Sequence, residues 1–399
     1  MAKKDAFESV HFPPMMDDEE IEAVMRVLKS KRLTLLSGKR IKKFEKEFAK
    51  YVGTREAIAV NSGTAALHVA LSALGVGPGD EIIVPPFTFV ATATAVLHQN
   101  AIPIFVDIDP KTYCLNPAEI EKAITSKTKG IIPVHLFGHP ADMDPILEIA
   151  EKHDLFVIED ACQAHGAEYK GKKVGSIGDM GCFSFFESKN MMTGEGGIIT
   201  TNNEELAEAA RLVRHHGEPS WYVYERLGYN YRMTEVQAAL GLVQLRKLDK
   251  MNQIRIDNAN YFTKHLEGIE GIQIPYVSED VKHVYHVYAP LMEPEKLNVS
   301  KDQFLEMLNK GVPITKRIYP QPLYKSKLFQ ERMGYGKVKC PYTCPYYGKN
   351  ITYDIHLPVV EEICTRVIGL PNMPFVHKEV LDNVIEKIQQ VVRELQTKL

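Results

Sequence analysis

From about residue 55 to residue 245, short apolar runs alternate with helical stretches, and this rhythm restricts the fold more than any other feature. Residues 57–60, 81–84, 102–106, 130–134 and 155–158 read as strands, and 64–74, 89–99, 117–124 and 143–153 as the helices between them. Strands this short and this apolar are buried on both faces. A helix between each pair returns the chain to start the next strand in the same direction. The pattern predicts an α/β fold with a mostly parallel sheet between helices. Residues 183–186 and 197–201 add further strands. Helices are predicted over 17–30, with acids in its first turn, and over 39–51.

A chain of 399 residues is too long for one ordinary core. Two domains are expected: a large one over 1–250 and a smaller α+β one over 251–399, joined by a helix from 235 to about 266. Near the end, Val380, Leu381, Val384, Ile385, Ile388, Val391, Val392 and Leu395 recur at helical spacing and read as core packing. With 45% hydrophobic and 25% charged residues and a net charge of −3, nothing draws the chain to nucleic acid or an anionic membrane. No run reaches the roughly 18 apolar residues of a membrane span, and the first residues lack a signal-peptide core. Six cysteines do not make a disulfide framework at this length. A reduced, cytoplasmic setting is expected. Cys340 and Cys344 lack the further ligands a zinc or cluster site needs, so no metal is expected.

Chemistry enters at Lys189. It lies between the apolar run 182–186 and the glycine-rich turn Gly194-Glu195-Gly196-Gly197. A solvated surface lysine is the ordinary fate. A buried one tends to lose its proton and becomes a nucleophile. Upstream, a buried strand ends in Glu159-Asp160, and ligands of open α/β sheets bind at the carboxyl ends of strands. Glu159 should point to the other side. A lysine that forms a Schiff base, with an acid that holds a pyridine nitrogen protonated, is what pyridoxal phosphate (PLP) requires. Ser62, Gly63 and Thr64 follow a strand and open a helix, which suits either a phosphate or an ordinary N-cap. Phe89, just past a strand end, can stack on a ring or cap the next helix in the core. Gln163 and His165 can reach ring substituents, and Ser184 adds a hydroxyl.

These residues sit in motifs that resemble the DegT/DnrJ/EryC1/StrS family of PLP-dependent sugar aminotransferases, a branch of the fold type I aminotransferases. The likeness runs from about residue 11 to residue 395, through the motifs at 61–67, 85–92, 159–167, 183–197 and 228–233. It implies a large domain with a seven-stranded sheet. It implies that Lys189 is the Schiff-base lysine and general acid/base, that Asp160 pairs with the pyridine nitrogen, and that Gln163 lies near the ring hydroxyl. His165 joins Lys189 and Asp160 in the expected catalytic set. Phe89 would stack on the ring, while Ser62, Gly63, Thr64 and Ser184 bind the phosphate. Asn230 would reach the phosphate of a partner subunit's cofactor, which implies a homodimer with shared active sites. Tyr319, Pro320 and Leu323 resemble a sugar-contacting segment. The implied reaction moves an amino group from glutamate or glutamine to a keto-sugar, with a nucleotide-linked one expected. Some members carry histidine in place of the lysine and act as dehydratases; Lys189 favours transamination over that and over a non-catalytic sensor. Residues 334–356 look like an insertion of the kind found in members acting on cyclitols, so a keto-cyclitol or free keto-sugar is the competing acceptor. Lys316, Arg317 and Lys325 read as surface charges or as contacts for a substrate phosphate.

Overall fold

The structure, a computed structural model, describes residues 16–310 and 318–397. Its centre is the expected α/β sheet. Strands β1 (Glu56–Val60), β2 (Glu81–Val84), β3 (Ile102–Phe105), β4 (Thr128–Ile131) and β5 (Phe156–Asp160) come first. The two-residue strands β6 (Glu168–Tyr169) and β7 (Lys172–Lys173) form a separate small sheet with Val281–Lys282. Then come β8 (Met180–Ser184) and β9 (Gly197–Thr201). The main sheet has seven strands in the order β1-β9-β8-β5-β4-β2-β3. From β8 to β3 all neighbours are parallel, and β9 runs antiparallel to both β1 and β8.

Two strands are shifted from the sequence pattern. β4 starts two residues early, and its continuation at Pro133 and Val134 only bridges Asp160. β8 ends at Ser184, because the chain turns there. Phe185 N–H still bonds Gly196, but Phe186 is already exposed.

The helices are α1 (Asp18–Ser30), α2 (Arg40–Val52), α3 (Gly63–Ala73), α4 (Ala91–His98), α5 (Pro117–Ala123), α6 (Met143–Lys152), α7 (Glu204–Arg214) and α8 (Glu235–Leu266). Their starts are set by side chains. Asp17 and Glu20 form a capping box on α1, and Thr234 and Gln237 form one on α8. Asn203 caps α7, a helix the sequence pattern did not single out, by accepting from Glu205 and Leu206. α3 and α4 are buried nearly all round, as helices pressed on a sheet should be.

The largest apolar cluster surrounds the parallel strands and takes in Tyr324, Phe329, Tyr353 and Val360 from the C-terminal part. A second packs α2 and the start of α8 on β8 through Phe44, Phe48, Phe183 and Phe185. A third joins Phe262 of α8 with Tyr288, Phe304 and the buried stripe of the C-terminal helix Lys378–Gln396. α8 thus belongs to both of these cores, and Ala239 and Val243 join it to Ala23 and Val27 of α1 in a further cluster. No helix among the described residues is long and apolar enough to cross a membrane.

Candidate active site

Three loops meet at the carboxyl edge of the sheet. A Cβ added to Gly63 would lie 2.6 Å from Ser184 Cβ and 3.0 Å from Cys162 Sγ, so glycine is what lets the start of α3 touch β8. Gly197 is equally confined, with Ser62 O 2.3 Å from its would-be Cβ. Ser62 caps α3, its Oγ accepting from Ala65 N–H at 3.0 Å. The hydroxyl proton stays free to donate, so cap and anion contact are compatible here. Thr64 is half-buried in the first turn, and Ser184 Oγ accepts from Phe186 N–H at 3.3 Å. Outward amides, hydroxyls and the positive end of α3 make a cradle for an anion.

Asp160 is buried next to this cradle. Its Oδ2 accepts from Thr92 Oγ1 at 2.8 Å and its Oδ1 from Cys162 N–H at 3.2 Å. Thr88 Oγ1 lies 3.1 Å from Thr92 Oγ1 and can donate to it, and Phe89 O, 3.2 Å from Thr92 Oγ1, is a more distant acceptor than Asp160. Neither Thr92 nor Cys162 was singled out from sequence; a hydroxyl 68 residues from its acid leaves no local signal. Phe89, one turn before Thr92, is 60% exposed, while Phe87 is 1% exposed in the core. Glu159 does point the other way. It accepts from Gly175, Ile177 and Gly178 N–H and meets His135 Nε2 at 3.0 Å, so it anchors the loop before β8.

Gln163 is clamped. Its Oε1 accepts from Phe137 N–H at 3.1 Å and its Nε2 donates to Tyr319 OH at 3.2 Å. The Tyr319 ring stacks on Phe137 at 5.9 Å, tilted 14°, and meets Phe87 edge-on. Burial raises the phenol's pKa and keeps its proton on. Leu323 N–H bonds Pro86 O at 2.9 Å, which fixes 319–323 beyond the end of β2, with Pro320 exposed.

Lys189 is half-buried after β8, its N–H bonded to Phe186 O at 2.9 Å. Burial lowers its pKa, opposed by the fields of Cys162 and Asp160, which places all three within electrostatic reach. The glycine turn behind it needs left-handed backbone at Gly194 (φ 80°) and Gly196 (φ 155°), and Gln237 Nε2 ties it down at Glu195 O. His165 is fully buried against Phe183 and Phe185, at 5.4 and 5.7 Å. Burial and the charge of Lys189 push its pKa down to about 3, so it is neutral.

Other expected residues lie apart. Asn230 is exposed in a segment whose Tyr231 O accepts from Asn61 N–H. Lys325 pairs with Glu361 at 2.7 Å; Lys316 and Arg317 lie outside the described residues. Tyr347 and Tyr353 of the 334–356 segment bond Glu81 and Pro103 O, at the amino ends of β2 and β3, opposite Asp160. All six cysteines are free thiols.

The sequence matches the model of the DegT/DnrJ/EryC1/StrS aminotransferase family over residues 14–356. The chain belongs to this family. A GDP-perosamine synthase of Caulobacter vibrioides is 44% identical over 74% of this chain and 80% of its own. A UDP-N-acetyl-3-dehydro-alpha-D-glucosamine 3-aminotransferase of Acidithiobacillus ferrooxidans is 38% identical over 96% of this chain and 95% of its own. Among solved structures, NtdA from Bacillus subtilis with bound cofactor PMP superposes with a TM-score of 0.83 at 33% identity, covering 98% of this chain and 87% of that one. The fold is the type I aminotransferase fold, and the enzyme depends on PLP. The cradle at Gly63, the buried acid and the lysine of lowered pKa fit that cofactor's phosphate, ring nitrogen and aldehyde.

Proposed function

We propose that this chain moves an amino group from glutamate or glutamine to a nucleotide-linked keto-sugar, with Lys189 as the residue that bonds the cofactor. The convergence of Gly63, Ser184, Asp160 and Lys189 on one sheet edge carries the residue assignment. The relatives' names, a GDP-perosamine synthase and a UDP-sugar aminotransferase, support the acceptor class.

PLP, when bound, supplies an aldehyde that takes up the amino group and a ring that draws electrons from the carbon losing its proton. Every other function falls to side chains. Gly63 amide, Ser62, Thr64 and Ser184 hold the phosphate. Phe89 covers one ring face. Asp160, braced by Thr92, accepts a charge-assisted hydrogen bond from the ring nitrogen and keeps it protonated. Gln163 faces the ring hydroxyl. Lys189 Nζ, favoured as the free amine by burial, would condense with the cofactor's aldehyde with loss of water and, when the donor's amine has taken its place, would carry the proton from the donor's α-carbon to the cofactor. His165 backs the lysine turn as a neutral group. Tyr319, Pro320 and Leu323 contact the sugar.

Trp221, Tyr222, Tyr224 and Leu227 are 63% exposed or more. An apolar strip of this kind supports a homodimer, with Asn230 beside it completing the partner's site. A sedimentation mass of one chain would end that part. We place the enzyme in the cytoplasm, and assign residues 1–250 and 251–399 to its two domains.

The test is the visible spectrum of the purified enzyme. A band that bleaches with L-glutamate, with product from a nucleotide-linked keto-sugar and none from a keto-inositol, is expected. Lys189→Ala should bind cofactor yet lose turnover by at least about 1000-fold. Near wild-type turnover in that variant would overturn the assignment.

A further inference from the structure

Lys189 is followed by Asn190, which is 2% exposed and fully hydrogen-bonded. The amide assignments along this chain of bonds are forced. Asn252 Nδ2 donates to His165 O at 2.7 Å, and a carbonyl can only accept. Asn252 Oδ1 therefore accepts from Asn190 Nδ2, at 2.9 Å. Asn190 Nδ2 spends its second proton on Val284 O at 3.0 Å. Asn190 Oδ1 is left as an acceptor, and His286 Nδ1 lies 3.2 Å from it, so His286 must carry its proton on Nδ1.

We propose that His286 is a positioning residue for Lys189, holding Asn190 against α8 and the 283–286 loop so that the lysine keeps its place at the cofactor. The inference rests on the reading of Lys189 given above. Asn190 is the only side chain in this set adjacent to the lysine in sequence, and its bonds reach two elements: α8 through Asn252, and the loop after Val281–Lys282 through Val284 and His286; Asn252 in turn bonds His165 O in the loop after β5. A lysine backbone fixed this way has few positions for its long side chain to start from, which limits what its four carbons can lose in entropy.

The surroundings agree. Lys189, Arg255 and His165 face His286, and no acid is among the groups that shift it; burial and these neighbours keep the imidazole neutral. Arg255 is itself buried, bonded to Asn372 O, with Nε unpartnered and its pKa lowered by burial to about 9. A neutral Nδ1–H donor is thus the form of His286 the site stabilises. Asp160 and Cys162 act on Lys189 and are not among the groups that shift His286.

The experiment compares wild type, His286→Ala, His286→Asn and His286→Gln as holoenzymes. Asparagine puts an N–H close to where Nδ1 was; glutamine puts it one carbon further. Two readouts are taken: the pH midpoint of the visible band of the lysine-linked cofactor, and kcat with KM for L-glutamate. Expected for His286→Ala are a midpoint moved by about half a pH unit or more and kcat lowered about tenfold, with KM within about twofold. His286→Asn should recover most of both, and His286→Gln should not. A His286→Ala enzyme with unchanged midpoint and kcat, or Asn and Gln variants that behave alike, would overturn the proposal. If Lys189→Ala retained the lysine-type band, the underlying reading would fall instead.

Discussion

At the scale of single residues, the site works by spending each polar atom once. Thr92 has one proton and two acceptors within reach, Phe89 O at 3.2 Å and Asp160 Oδ2 at 2.8 Å; the nearer carboxylate is the stronger acceptor. Gln163 has two termini, one on Phe137 N–H and one on Tyr319 OH. The phenol therefore orients Gln163, in addition to any contact with sugar. Tyr319→Phe keeps the ring stack on Phe137 but frees Gln163 Nε2 inside a buried site. A lost hydrogen bond between neutral groups is worth about 0.5–1.5 kcal/mol, so kcat/KM should fall about three- to tenfold. Steady-state kinetics with the amino donor and the sugar varied in turn separates the two roles: a change confined to the sugar's KM would show that the phenol only contacts sugar.

At the scale of elements, the helix most dependent on a distant residue is α2. Its N-cap, Lys39, offers no side-chain cap. Instead Glu235, at the start of α8, accepts from Lys39, Arg40 and Ile41 N–H at 3.1, 3.0 and 2.9 Å. A carboxylate on the positive end of a helix is favourable, and here it is fully buried. Gly38 makes room, since a Cβ there would lie 2.0 Å from Glu235 Cδ. Glu235→Ala leaves one buried and two partly buried amides without their partner and should cost about 2–3 kcal/mol, read as a lowered urea midpoint at fixed cofactor and protein concentration. An unchanged midpoint would mean water replaces the carboxylate. None of this was legible in the sequence, because the cap spans 195 residues. What was legible is local: the strand and helix rhythm from β1 to β5, Ser62–Gly63 opening a helix, Asp160 ending a strand, Lys189 before a glycine turn. α7 escaped because its cap residue, Asn203, sits in a polar stretch that also reads as loop. β6 and β7 escaped because two residues carry no period. The Asn190–His286 contact joins positions 96 apart.

At the scale of the whole molecule, burial of neutral histidines sets how the enzyme meets acid. Desolvation lowers His68 and His139 to about 4 and His165 to about 3, against 6.5 for an ordinary imidazole. His68 and His139 each bury an Nε2 without a partner; Asp109 favours a proton on His139, but burial outweighs it. Between pH 6.5 and about 4 the unfolded chain binds protons that the native fold refuses. Stability is therefore full above pH 6.5 and falls as pH drops through that window, by up to about 1.36 kcal/mol per pH unit for each histidine. The three histidines lie on α3, on the loop after β4 and on the loop after β5, all in the part of the chain built on the main sheet. Urea midpoints of the holoenzyme at pH 7.5, 6.5, 5.5 and 4.5 should be level at first and then fall steeply. The double variant His68→Gln, His139→Asn removes two of the sites, and its decline below pH 6.5 should be visibly shallower than that of wild type. Parallel curves would show that carboxylates, and not these imidazoles, govern the acid limit.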